Sequence, residues 1–283
     1  MLLSALLFLA SVISLASNGL NLGLDFTGGM QIKVTYPHAA DLNRIRTQLI
    51  QAGIHEAQVK TYGATYVVMI TVTTQDQHGM RDKIAQTLVD GHIDQISFIG
   101  PKVGKELATK GALAMLVSML LVLIYIALRF EYRLALSAIL ALIHDPILIL
   151  GIFSGFHIEF DLITLAAILT VIGYSLNDSI VVFDRVRENF RKLRQGTVLE
   201  VMDLSINQTL SRTIMTSGLT LLAVLSLLLF GGPSLFGFAL ALAIGIIIGT
   251  YSSIYIAGSL AVLMGLQRQD FLPKPKTPLD DSP

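Results

Sequence analysis

The sequence predicts a polytopic α-helical membrane protein: six transmembrane helices, with an external α+β domain between the first and the second. Three observations carry this reading. First, 53% of the 283 residues are hydrophobic and 14% are charged, whereas soluble domains sit near roughly 45–50% and about 25%. Second, the apolar residues are gathered into blocks at about 2–17, 108–128, 134–156, 162–183, 208–230 and 234–264, close to or above the roughly 20 residues that cross a bilayer as a helix. Third, residues 18–107 break this pattern and alternate short strand and helix signals. Net charge is zero, which argues against nucleic acid as a partner. There is no cysteine, so disulfides and thiol chemistry are excluded. No cofactor and no metal site is expected.

The first block begins at Met1 without a basic flank, and Ser14-Leu15-Ala16 has the small residues of a cleavage site. It reads either as a cleaved signal peptide or as an uncleaved first span, and the second is favoured because five later spans would lack a sixth partner. The last block is longer than one span needs, so it tilts or projects. Charge sets the expected orientation. Arg129 and Arg133 lie in one turn, Arg185, Arg187, Arg191, Lys192, Arg194 and Arg212 in a 184–212 loop, and Arg268, Lys274 and Lys276 in the tail. The 157–161 and 231–233 turns contain no Lys or Arg. The positive-inside rule then places both termini in the cytoplasm and the 18–107 segment outside. The expected organisation is a first transmembrane helix (1–17), the outer domain (18–107), a five-helix bundle (108–264) and a cytoplasmic tail (265–283), disordered after Leu266 with its prolines.

Within the outer segment, 30–36 alternates as a strand and 41–51 repeats Leu42, Ile45 and Leu49 as a helix. Residues 56–61 and 65–72 flank the Gly63-Ala64 turn as a hairpin, 79–90 reads as a second helix and 93–99 as a last strand. Strand-helix-strand-strand-helix-strand is a ferredoxin-like order, with two helices on one face of a four-stranded sheet.

Residues 171–189, VIGYSLNDSIVVFDRVREN, hold the main chemical candidates. Asn177 and Asp178 interrupt an apolar run, and a carboxylate inside a membrane helix costs roughly 2.5–3.5 kcal/mol at the centre by insertion scales. Helical spacing sets Tyr174 and Ser175 one turn before Asp178 and Arg185 two turns after it. Desolvation and a nearby cation act in opposite senses on a carboxyl group, so one poised between them loads and releases protons. The alternative is a structural clamp between Asp178 and Asn177. Arg212 is expected at a similar depth on the next helix, as partner to Asp178 or as a snorkelling anchor. On its helix Thr209, Thr213, Thr216 and Thr220 make a polar stripe.

Asp145 precedes Pro146 and follows His144, which reads as a capped helix restart, with His144-Asp145 as a second protonatable site behind it. Asp184 and Arg185 finish their helix. Gly237, Ala241, Gly245 and Gly249 recur every fourth position, so another backbone can approach along that face. Asp25-Phe26-Thr27 precedes Gly28-Gly29, a pair suited to a sharp turn into the first strand; no helix follows to make it a phosphate cradle.

Taken together, LGLDFTGG at 22–29, HDP at 144–146, GYSLNDSIVVFDRVREN at 173–189, SRTIMTS at 211–217 and GIIIGTYSSIYIA at 245–257 resemble the SecF family of protein-export membrane proteins, within the RND superfamily. The resemblance covers nearly the whole chain. It implies six helices, an external ferredoxin-like domain and a complex with SecD. It also implies association with a SecYEG-type translocation channel and proton-motive-force-driven movement of preproteins. The aspartate and arginine matching Asp178 and Arg212 are implicated in proton transport in that family. One departure is that family members carry a basic segment before the first helix, whereas this sequence begins inside it. A stand-alone RND-type exporter and a non-conducting scaffold are the alternatives. An intramembrane aspartyl protease would need Asp145 and Asp178 as a dyad, and they are expected about 9 Å apart in depth by helix rise. No enzymatic activity is expected.

Overall fold

The computed structural model describes residues 2–55, 57–73, 76–193 and 195–271. Arg194, Lys274, Lys276 and the tail prolines lie outside them. Helix α1 (Leu2–Asn18) leads through a two-residue strand β1 (Asn21–Leu22) and a single-turn helix α2 (Leu24–Thr27) into the outer domain.

The outer domain runs β2 (Gly29–Thr35), α3 (Leu42–Gln51), β3 (Gln58–Tyr62), β4 (Ala64–Val72), α4 (Gln77–Thr87) and β5 (His92–Ile99). Its sheet has the order β3-β4-β2-β5 with every neighbour antiparallel. Period-2 alternation turns Met30, Ile32 and Val34 of β2 to one face, where Ile45 and Leu49 of α3 and Ile84 of α4 complete a core. Asp41 and Asp76 cap the two helices through their first free amides. Gly63 turns the β3–β4 hairpin with φ +79°.

The remaining chain is helical: α5 (Pro101–Arg129), α6 (Tyr132–Gly155), α7 (Leu162–Lys192), α8 (Val198–Phe230) and α9 (Pro233–Tyr251). A π-turn (Ser252–Ile256) joins α9 to α10 (Ala257–Leu263), and a 3-10 turn follows at Arg268–Phe271. A short strand β6 (Glu159–Phe160) precedes α7 and pairs in parallel with β1. Among the described residues, five helical stretches are long and apolar enough to cross a membrane: α5, α6, α7, α8 and Pro233–Leu263; α1 is a shorter apolar helix. α6 and α7 form the centre, while α5 and α8 expose long apolar faces such as Leu113–Leu120 and Leu219–Leu222. Such faces suit a bilayer, in which every backbone group is already paired within its helix.

α1 lies along α6 with little space between them: a Cβ on Gly151 would stand 2.2 Å from the Ser11 Cβ, and Ser14 and Ser154 exchange hydrogen bonds. The first apolar block is thus packed as a wall of the bundle.

Three expectations are corrected. The charged stretch after residue 183 is not a loop: α7 continues to Lys192 and α8 starts at Val198. Ion pairs support these extensions, among them Arg185–Glu188 and Lys192–Glu188 on α7. Asp184 does more than end a helix, since both its carboxylate oxygens accept from Arg129 Nη2, at 2.8 and 2.9 Å. Beyond Leu266 the chain stays ordered through residue 271: Phe271 stacks on Phe190 and Asp270 pairs with Arg133.

Gly29 provides a test of the junction between α2 and the sheet. It holds φ +126°, and a Cβ there would lie 2.6 Å from the Val72 carbonyl oxygen. Gly29→Ala is expected to loosen the β2–β4 pairing by about 1–3 kcal/mol. Hydrogen exchange should then quicken at β4 amides and stay unchanged in α6 and α7.

Candidate functional site

Placement of the central helix begins outside the bundle. Asp161 accepts from the Thr164 amide at 2.7 Å as the N-cap of α7. Asp25 reaches in from α2 and accepts from the Leu162 amide at 3.0 Å. Two carboxylates therefore occupy the positive end of the helix dipole. Phe26 stacks on Phe160, the Gly23 amide donates to the Phe160 carbonyl, and Gly28 meets Gly104 so closely that a Cβ on Gly104 would lie 2.8 Å from the Gly28 nitrogen. The 22–29 motif thus clamps α5 and α7 to the first strand of the sheet.

Asp178 faces the bundle interior, with 4% of its surface exposed. Among the described residues its side-chain hydrogen bond is a long one, from the Ser217 hydroxyl on α8 at 3.4 Å. Ser217 also receives the Thr250 hydroxyl at 2.8 Å and the Tyr174 hydroxyl at 3.3 Å. One donor and two acceptors use the whole capacity of a hydroxyl, so Ser217 is the hub between α7, α8 and α9. Arg212 is exposed and forms no ion pair among the described residues; it acts on Asp178 electrostatically, through space.

Asn177 is not the clamp of Asp178. It points outward and is exposed, because adjacent helical positions diverge by about 100°. The polar stripe of α8 also runs differently. Ser205, Thr209, Thr213 and Ser217, at intervals of four, are its buried members. Thr216 is exposed and bonds back to the Arg212 carbonyl, and Thr220 to that of Thr216.

A second polar cluster centres on Asp145, which is 0% exposed. The expected capped restart is absent: α6 passes through Pro146, and the carboxylate takes hydroxyl donors from other helices instead of its own amides. Ser175 of α7 donates to Oδ2 at 2.5 Å and Ser252, at the head of the π-turn, donates to the same atom at 2.8 Å. His144 Nδ1 stands 3.1 Å from Oδ1, and its Nε2 is 2.7 Å from Ser4 Oγ on α1. Because its partner Ser175 is three residues from Asp178, Asp145 lies about 4.5 Å of helix rise from that level, closer than the expected spacing. The two carboxylates bind separate serines and do not touch, so no shared-proton dyad exists.

The glycine stripe of α9 sets both clusters. A Cβ on Gly245 would lie 2.3 Å from Val171, and one on Gly249 3.0 Å from the Ser175 Cβ. That approach carries Ser252 to Asp145 and Thr250 to Ser217, the partner of Asp178. Ser217, Thr250 and Ser252 are not singled out by the sequence, because each sits among other hydroxyl residues: Thr213 and Thr216 beside Ser217, Tyr251 and Ser253 beside Thr250 and Ser252. Gly245→Val is expected to overpack this seam and lower stability by about 1–3 kcal/mol, read as an earlier thermal transition of the solubilised protein. Gly218→Val, with nothing within 4 Å of its Cβ position, should leave the transition in place.

An integral helical bundle with two buried carboxylates, clamped at one end to an α+β domain, is the class that fold and site define. The comparisons make this specific. The family model for the protein export membrane protein SecD/SecF, C-terminal, matches residues 80–267, and that for the SecD/SecF GG motif matches 13–36. The chain is 47% identical over 278 residues to the protein translocase subunit SecF of Vibrio alginolyticus, covering 95% of this chain and 88% of that one. It is 44% identical to its counterpart in Escherichia coli O157:H7, covering 95% and 86%. The crystal structure of SecDF from Thermus thermophilus superposes with a TM-score of 0.86 at 36% identity, over 92% of this chain. The chain spans only 37% of that longer protein. The chain belongs to the SecF family of protein translocase subunits.

Proposed function

We propose that this chain is the SecF-type accessory subunit of the Sec preprotein translocase, which works with SecD and uses the proton-motive force to drive export through a SecYEG-type channel. It sits in the bacterial inner membrane with six spans, α1 being the sixth. Both termini are cytoplasmic, and the 18–107 domain, of ferredoxin-like topology, meets preproteins in the periplasm. It works without enzymatic chemistry or a cofactor.

The observation that carries this reading is Asp178: a carboxylate buried in a membrane bundle, held by one long bond from Ser217 and facing the field of Arg212 without an ion pair. A structural clamp would saturate the carboxylate. An under-bonded acid in the field of an exposed cation is suited to exchange its proton. Each charge that crosses the membrane gains about 2.3 kcal/mol per 100 mV, enough to bias two arrangements of the bundle.

A route for that bias to the outer domain is available. Ser217 and Thr250 belong to α8 and α9, and the turn between those helices touches the β3–β4 hairpin. The Tyr62 hydroxyl lies 2.5 Å from Ser234 Oγ, and Gly63 abuts Pro233. Lys60 pairs with Glu159 beside it at 3.7 Å. SecD would seat on the open side of α7 and α8, where Gly173, Asn177 and Arg212 are exposed and a Cβ on Gly218 would meet open space.

In the assembled complex, Asp178→Asn should leave SecD association intact while gradient-dependent export falls by an order of magnitude or more, to the level seen with the gradient collapsed. Full export by this variant would assign the subunit to the scaffold role instead.

A further inference from the structure

The geometry assigns a second proton-binding site to the His144–Asp145 pair, distinct from Asp178 and built to hold one exchangeable proton at the junction of α1, α6, α7 and the π-turn. Four features carry it. Asp145 is fully buried, and His144 is 8% exposed. Every contact of the carboxylate is a group able to donate: Ser175, Ser252 and His144 Nδ1. That is a cradle for the ionised acid. His144 is fixed in its orientation by the Phe8 ring, stacked 5.7 Å away at 7°.

The fourth feature is Ser4. Its hydroxyl lies 2.7 Å from His144 Nε2, the one ring nitrogen not used by Asp145. A hydroxyl donates or accepts by rotating its hydrogen. With the proton bound, Nε2–H donates to Ser4 and the pair is an imidazolium facing a carboxylate, of net charge zero. With the proton released, Ser4 donates to Nε2 and the pair carries one negative charge, spread over three donors. Neither state requires a heavy atom to move, so the site loads and unloads at little reorganisation.

The surroundings supply no competing cation. α1 and the 233–263 stretch contain no Asp, Glu, Lys, Arg or His. On α7 the groups near this level are Tyr174 and Asp178, the latter one turn from Ser175, and the charges of α5 lie at its two ends. An isolated buried carboxylate is expensive, and among the described residues His144 is the group placed to neutralise Asp145. Asp178 lies one turn from Ser175 on α7, so an ionised Asp178 opposes release from the pair, and the pair serves as a second proton station coupled to Asp178. This role rests on the proton-driven reading above; the existence of the site does not.

The test reads protons directly. The complex with SecD, carrying histidine labelled with heavy nitrogen, is reconstituted in liposomes and followed by solid-state NMR between roughly pH 5 and 8. The signal of His144, one of six histidines, is the one lost in His144→Gln; should that variant fail to insert, Phe8→Leu identifies it by the shift of the stacked ring. The expected result is a change of His144 between charged and neutral forms within this range. The change should persist in Asp178→Asn, and Asp145→Asn should displace it by about one pH unit or more. A His144 ring that keeps one protonation form throughout overturns the assignment, as does a transition indifferent to Asp145→Asn. Since the readout is not export, loss of the Asp178 reading and loss of this one are separable outcomes.

Discussion

The close approach of α9 to α7 is the constraint on which the rest of the bundle depends. Gly245 and Gly249 remove the side chains that would hold the two helices apart, so Val171 and Ser175 sit directly against the α9 backbone. In a bilayer no hydrophobic force drives helices together, and association rests on packing and interhelical hydrogen bonds. Here both follow from the same stripe. Once the backbones touch, Thr250 comes within reach of Ser217, and Ser252 within reach of Asp145. One seam thus brings Ser252 to Asp145 directly and Thr250 to the Ser217 that bonds Asp178, and a side chain added at Gly245 would part both sets at once.

The π-turn belongs to this arrangement. An inserted residue in a helical ladder is unfavourable by itself and is found mostly at functional sites. At Ser252–Ile256 it re-aims the helix just after the glycine stripe ends, with Ser252 at its head donating to the carboxylate. The outer domain is fastened in a comparable way. Asp25 spends its carboxylate on the first amide of α7, so the turn that starts the sheet also holds the helix that carries Asp178. Forces on the sheet and charge changes in the bundle therefore act on one helix, the first at its N-terminus and the second near its middle.

Much of this was legible in the sequence, for physical reasons. Length and hydropathy delimit membrane helices because the bilayer imposes both, and the sheet pattern was readable since β2 and β4 each keep one face dry. The glycine stripe was readable because its period is helical. What escaped reading depends on which neighbour a face meets. Asn177 and Asp178 are equally polar and adjacent, yet one is exposed and the other buried; only the position of α8 separates them. Asp145-Pro146 has the local signature of a cap, but donors from α7 and the π-turn, 30 and 107 residues distant, win the carboxylate. The charged stretch after Phe183 looked like a loop because hydropathy falls there, while ion pairs within α7 and to Glu131 keep it helical.

The two acids differ in a way that bears on how a gradient could be used. Asp145 is surrounded by donors and has a histidine for a counter-charge, so its pair can remain near neutrality whichever way the bundle packs. Asp178 has one long bond and a cation that stands off. A proton on Asp178 removes a charge that little else balances, and its arrival changes what Ser217, and through it α8 and α9, must satisfy. A proton on the His144–Asp145 pair is absorbed by a hydroxyl rotation. The proton-driven cycle proposed above would thus have two kinds of site: one where protonation is felt by the packing, and one where it is not. α7 carries the first and touches the second one turn away.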